Sequence, residues 1–169
     1  MIQQKIVEPE NLFFQAEREK MFITGSEAVK EAIKRANVDM AISYPITPQS
    51  ESMHLVGDIY AEGYLREYFR GENEFAVMSA VAGASMGGVR VFTATGGPGT
   101  LRAFEAFSTW AGARLPIVCA FMTRGVNSPL TIQPDTIEMS FMLDTGIIML
   151  HAEDAQDLYE MILKAFVIA

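Results

Sequence analysis

Glu74-Phe-Ala-Val-Met-Ser-Ala-Val-Ala-Gly-Ala-Ser-Met-Gly-Gly88 runs straight into Val89-Arg-Val-Phe-Thr-Ala-Thr-Gly-Gly-Pro-Gly99. The first stretch is apolar and rich in small residues. It predicts a helix that opens at Glu74 and ends at Gly87-Gly88. The second predicts an apolar strand over Val89–Thr95, closed by a glycine-rich turn over Gly96–Gly99. No charge stands between Glu74 and Arg90. A helix that feeds a buried strand is the repeating unit of an α/β fold.

The same alternation extends in both directions. Thr24-Gly-Ser-Glu27 has the capping-box pattern and predicts a helix from about Ser26, with Ala28, Val29, Ala32, Ile33 and Ala36 on its apolar face and a stop at Asn37. Met40–Tyr44 is a short strand that Pro45 ends, and Pro45-Ile-Thr-Pro48 is a stiff turn. Ser50 is the expected cap of a second helix reaching Glu62, and Tyr64–Phe69 the next strand. Beyond the glycine turn come a helix over Thr100–Ala113, a buried strand over Pro116–Thr123 and a loop over Arg124–Pro129. A helix at Asp135–Leu143, a strand at Ile147–Leu150 and a helix from Asp154 complete the order. Continuous apolar strands alternating with helices predict a doubly wound, mostly parallel sheet with helices on both faces. Ligands of such folds sit at the carboxyl ends of the strands, so the loops after Tyr44, Thr95 and Thr123 and the segment holding Glu74 should converge.

Residues 1–20 are polar and mixed, and read as an arm ahead of a domain over 21–169. The ending Phe166-Val-Ile-Ala169 is apolar with no helix stop, the pattern of a domain that continues. Half of the 169 residues are hydrophobic, enough for a core, and the net charge of −8 speaks against a nucleic-acid partner. The N-terminal residues lack the basic start and apolar centre of a signal peptide, and no apolar run has the length of a membrane span. A single cysteine, Cys119, excludes an internal disulfide and points to a reducing, cytoplasmic setting. It also leaves no ligand set for an iron–sulfur cluster, which takes about four cysteines, and one Cys with two distant His, His54 and His151, makes no zinc site.

Each candidate site residue has a plain reading beside a functional one. Gly96–Gly99 lacks the Gly-Lys-Ser/Thr of a phosphate loop and the third glycine of a dinucleotide site, so it is either a tight turn or a close approach to a ligand. Glu74 is either an acid complementing a helix dipole or an acid set against a buried ligand, whereas Glu72 reads as solvated. Thr47 between two prolines is a turn residue or a hydroxyl on display. Arg124 at a strand's carboxyl end pairs with a surface acid or grips a carboxylate with its forked donors. Cys119 reads as inert core, and Phe104, Phe107 and Trp110 as packing or interface.

Taken in order, these residues resemble a known family. Tyr44-Pro-Ile-Thr-Pro48, Glu74, Thr95-Gly-Gly-Pro-Gly99 and Leu115-Pro-Ile-Val118 leading to Arg124-Gly125 resemble the alpha subunit, or first domain, of the 2-oxoacid:ferredoxin oxidoreductases. That domain binds the pyrimidine half of thiamine diphosphate, and the resemblance covers about residues 22–168. Gly96 stands where these proteins often have Ser, and Val126-Asn-Ser-Pro129 differs from their Gly-Pro-Ser-Thr run.

The resemblance implies roles. Glu74 would hydrogen-bond the aminopyrimidine ring and share a proton with it. Tyr44, Pro45, Ile46, Gly97 and Gly99 would line the cofactor pocket. Thr47 and Arg124 would meet the 2-oxoacid, Arg124 through the substrate carboxylate. The reaction implied is oxidative decarboxylation of a 2-oxoacid to acyl-CoA and CO2, with electrons passing to ferredoxin or a similar acceptor. The chain has no Gly-Asp-Gly motif for diphosphate and Mg²⁺, so a beta subunit would supply that half of the site, and gamma and delta subunits the [4Fe-4S] clusters. A non-oxidative thiamine diphosphate decarboxylase or synthase subunit, and a non-catalytic α/β assembly module, are the alternatives.

Overall fold

The computed structural model describes residues 20–169. The arm expected over residues 1–20 lies, apart from Lys20, outside the described residues. Four parallel strands, β1 (Met40–Ser43), β2 (Glu67–Arg70), β3 (Val91–Thr95) and β4 (Ile117–Phe121), form one sheet in the order β2-β1-β3-β4. The chain leaves β1 for β2 on one side, then returns across β1 to β3 on the other. This reversal creates a crevice beyond the carboxyl ends of β1 and β3.

Side-chain alternation on the strands builds two cores. Ala41, Phe92 and Val118 stand in register across the sheet on one face, and α1 (Gly25–Arg35), α2 (Gln49–Ala61) and α7 (Ala155–Ile168) cover them. Ile42 and Val91 point to the other face, under α3 (Glu74–Met86) and α5 (Phe104–Gly112). There Phe107 and Trp110 meet edge to face at 4.9 Å. Both faces are therefore covered, as a doubly wound sheet requires.

Local chemistry sets the helix starts. Thr24 Oγ1 accepts the Glu27 N–H at 3.3 Å and Glu27 Oε2 accepts the Thr24 N–H at 2.7 Å, so the capping box closes and α1 begins at Gly25. Asn37 ends the turn beyond α1 with φ 52°. Asp154 caps α7 by accepting the Asp157 N–H at 2.8 Å.

Several sequence expectations are corrected. Ser50 does not cap α2; it lies inside the first turn, and Pro48 holds the cap position, with no side-chain cap hydrogen bond. The helix expected over Thr100–Ala113 is two, α4 (Pro98–Arg102) and α5, broken at Ala103. The helix expected over Asp135–Leu143 is the short α6 (Ile137–Met142), followed by a 3-10 turn over Leu143–Thr145. β4 is an edge strand with alternate residues half-buried, and β2 is largely exposed. Ile147–Leu150 forms no strand. Ile147 and Met149 pack on the α3–α5 core, and a cavity of about 710 Å³ separates this segment from β4.

Candidate active site

The sheet's carboxyl edge is stitched by backbone hydrogen bonds. The Gly71 N–H donates to Ser43 O at 2.9 Å, tying the segment before Glu74 to the end of β1. The Met122 N–H donates to Thr95 O at 2.8 Å, tying the segment before Arg124 to the end of β3. Four strand ends are thus tied in pairs by backbone hydrogen bonds.

Glu74 is the first residue of α3, and its neighbour does the capping. Asn73 Oδ1 accepts the Ala76 N–H at 2.9 Å, which leaves the Glu74 carboxylate free to turn inward. It is 4% exposed. Its destination is the bare face of Gly99: a Cβ there would lie 2.8 Å from Glu74 Oε1 and 2.8 Å from Thr95 Oγ1. Glu74 Oε2, Thr95 Oγ1 and Thr100 Oγ1 are all buried without a hydrogen-bond partner among the described residues. Arg102 Nη1 approaches Glu74 Oε2 to 3.6 Å, a charge contact too long for a hydrogen bond, and Arg102 is 65% exposed, so water screens it. Leaving a buried carboxylate oxygen unpaired costs free energy. The plain reading of Glu74 is met, since it lies at a helix N-terminus, and it also faces a bare glycine with an oxygen that has no hydrogen-bond partner among the described residues.

A second set of contacts surrounds Gly97. Its φ of +55° favours glycine, and a Cβ there would meet Arg124 Nε at 2.7 Å and Cγ at 2.8 Å. A Cβ on Gly96 would collide with the Met122 carbonyl oxygen, so this backbone excludes a side chain at that position. The turn is packed between Glu74 on one side and Arg124 on the other. Arg124 is half-buried, with Nε enclosed and unpartnered among the described residues.

The β1 loop is less enclosed. Tyr44 and Ile46 are half-buried, while Pro45 and Thr47 are exposed. The Ile46 N–H donates to Gln49 Oε1 at 3.3 Å, and Gln49 is itself fully buried. Among the described residues Thr47 has no side-chain hydrogen bond; it lies at the same strand end but not in the Glu74–Gly99 contact. Glu72, His54 and His151 are exposed. Cys119 is half-buried in apolar surroundings, and burial pushes its thiol well up, so it is held as the thiol.

Sequence reasoning missed four polar residues. Thr95 and Thr100 flank Gly99, and Gln49 follows the second proline of the β1 turn. Glu138, on α6, is 0% exposed and its Oε1 accepts the Gly97 N–H at 2.6 Å. Burial pushes the Glu138 carboxyl above its ordinary range; the Gly97 and Arg124 backbones oppose that shift, Asp135 adds to it and the Arg124 charge opposes it. The available signal was a lone acid in the apolar run Ile137-Glu-Met-Ser-Phe-Met142. A concavity of about 710 Å³ along β4 and residues 146–152 touches neither Glu74 nor Arg124. It follows the open sheet edge, whereas the unpartnered buried polar atoms of Glu74, Thr95, Thr100, Arg124 and Glu138 gather around the glycine turn.

Gly99 lets the turn close directly on Glu74 and Thr95, where a Cβ would collide with both, and Glu74 Oε2 is left without a hydrogen-bond partner among the described residues, open to a donor that this chain does not supply. Residues 31–169 match the family model described as pyruvate flavodoxin/ferredoxin oxidoreductase, thiamine diphosphate-binding. The chain is 38% identical over 148 residues to the pyruvate synthase subunit PorA of Methanocaldococcus jannaschii, covering 87% of this chain and 38% of that protein. It is 35% identical over 151 residues to the ketoisovalerate oxidoreductase subunit VorA of Pyrococcus abyssi, covering 89% of this chain and 38% of that one. Its fold also matches the 2-oxoglutarate:ferredoxin oxidoreductase from Magnetococcus marinus, with a TM-score of 0.74 at 24% identity, over 85% of this chain and 26% of that chain. The chain thus spans little more than a third of the length of these curated relatives.

Proposed function

Because the chain belongs to the pyruvate flavodoxin/ferredoxin oxidoreductase family through its thiamine diphosphate-binding domain, we propose that it supplies the pyrimidine half of a thiamine diphosphate site in a 2-oxoacid:acceptor oxidoreductase. The observation that carries this reading is the Glu74 carboxylate, buried, with Oε2 unpartnered and Oε1 against the bare face of Gly99. When bound, the cofactor supplies a nucleophilic carbon for the keto group of the substrate and holds the electron pair that loss of CO2 leaves behind.

The chain's own residues have these parts in the reading. Glu74 holds a proton in common with a ring nitrogen of the pyrimidine; Gln could hydrogen-bond there but not exchange the proton. Gly97 and Gly99 let the backbone approach the ring, and Tyr44, Pro45 and Ile46 wall the pocket. Arg124 takes the substrate carboxylate and Thr47 offers it a hydroxyl. A beta subunit brings the diphosphate and Mg²⁺ site, and iron–sulfur subunits carry electrons away to ferredoxin or a similar acceptor, with coenzyme A receiving the acyl group. The relatives' names differ in their oxoacid, so the substrate is assigned as the 2-oxoacid class.

Glu74→Gln tests the assignment. The full-length variant, isolated with the chains that co-purify with it, should assemble normally. Its coenzyme A-dependent oxidation of a 2-oxoacid should fall by about 10²–10⁴-fold, the range lost with a positioned proton-transfer group. Undiminished oxidation would sink the role of Glu74. Absence of thiamine diphosphate from the unsubstituted complex would leave the assembly-module reading in its place.

A further inference from the structure

A six-residue helix that buries a carboxylate is giving up stability, since the charged form loses its hydration. Glu138 does this, and what it touches explains why. Its Oε1 accepts the Gly97 N–H at 2.6 Å. The opposite face of Gly97 packs on Arg124, where a Cβ would lie 2.7 Å from Nε. Gly97 is therefore held between the two side chains. Arg124 lies near enough for its charge to act on the Glu138 carboxyl, while Glu138 Oε2 is buried without a hydrogen-bond partner among the described residues. Arg124 Nε is enclosed against the turn. A guanidinium anchored along its Nε edge presents its two terminal nitrogens as a fork, the geometry that matches a carboxylate.

We infer that Glu138 is a positioning residue: it clamps the Gly96–Gly99 turn to the Arg124 segment and so fixes where the Arg124 fork meets the substrate carboxylate. The inference rests on the functional reading above. A glycine turn has no side chain to hold itself, and the loop after β4 is joined to its root by the backbone bond from Met122 to Thr95. Glu138 adds a second tie beyond that bond, on the side where Arg124 sits. Its carboxyl does not touch substrate.

The test uses Glu138→Ala and Glu138→Gln in the full-length protein isolated with its co-purifying chains. Pyruvate, 3-methyl-2-oxobutanoate and 2-oxoglutarate serve as trial substrates. Removing the tie in Glu138→Ala should raise KM for the 2-oxoacid about 10-fold or more, with smaller changes in kcat and in thiamine diphosphate affinity, because the glycine turn keeps its own backbone bonds to Gly99 and Thr100 while the Arg124 fork loses its hold. Glu138→Gln still accepts the Gly97 N–H through its amide oxygen and should bring KM back to within about 2-fold. If Glu138→Ala does not assemble, Glu138→Asp, one methylene short of Gly97, carries the test with the same expected rise. An unchanged KM in the shortened variant overturns the inference, and so does a loss of cofactor affinity equal to the loss in KM. If the unsubstituted complex oxidises none of the three oxoacids, the functional reading fails instead. The clamp is then judged by a crystal structure of the shortened variant: a Gly97–Arg124 contact that opens supports it, and one that stays closed overturns it.

Discussion

Gly99 is where a single hydrogen in place of a methyl group decides most. The Glu74 carboxylate and the Thr95 hydroxyl both lie within 2.8 Å of the point where a Cβ would stand. Gly99→Ala should therefore push Glu74 off its position without disturbing the strand behind it. Turnover should fall by about 10²-fold, the usual effect of misplacing a reacting group by an ångström, while urea unfolding shows a normal cooperative transition. Activity within a factor of two would mean that Glu74 has room elsewhere. Arg102, by contrast, is largely hydrated at 3.6 Å from Glu74. Glu74 itself was legible in the sequence, because an acid opening an apolar helix is visible in one dimension. Its orphaned oxygen was not, because that depends on Gly99, far along the chain, and on Asn73 taking over the cap.

At the level of elements, the signals that survived were those satisfied locally. The capping box at Thr24 needs only its own turn, and α1 begins where it says. Thr24→Ala removes the acceptor for the Glu27 N–H, and should lower the unfolding free energy by about 1 kcal/mol in urea titration, with no change in turnover. A loss confined to turnover would contradict a purely capping role. Signals that needed tertiary information failed. Ile147–Leu150 has the composition of a strand, but its apolar side chains found the α3–α5 core and its backbone found no partner. The run after Gly99 is helical throughout in pattern, yet Ala103 breaks it so that α4 and α5 can each follow the surface they cover. Ser50 looked like a cap because serine often is one; Pro48 reached the position first.

For the molecule as a whole, the order of strands and helices was readable, since covered parallel strands leave continuous apolar runs. The reversal at β1, with β2 on one side and β3 on the other, is what puts helices on both faces of the sheet, and it was not itself readable as a strand order. Glu138 escaped because its partners come from two loops, both remote in sequence. It also ties stability to acidity. Its folded carboxyl is held above the ordinary value of 4.5, chiefly by burial. The folded state therefore keeps the proton more tightly than the unfolded chain. That stabilisation is complete below the ordinary value and is lost as pH rises through the raised one. Glu138→Gln carries no proton to lose, so its unfolding free energy relative to the natural protein should climb with pH across that window. Parallel pH–stability curves for the two would show that the carboxyl titrates normally. The sheet, finally, is committed at its centre and uncommitted at its margin. Nothing pairs with the outer side of β4 among the described residues, and the proposed site lies at the tips of β1 and β3. Material can be added along that margin, whether more of the same chain or another polypeptide, as planks are added to a deck whose load rests on its middle beams. The proposed site can in this way keep its geometry whatever is laid against that outer strand.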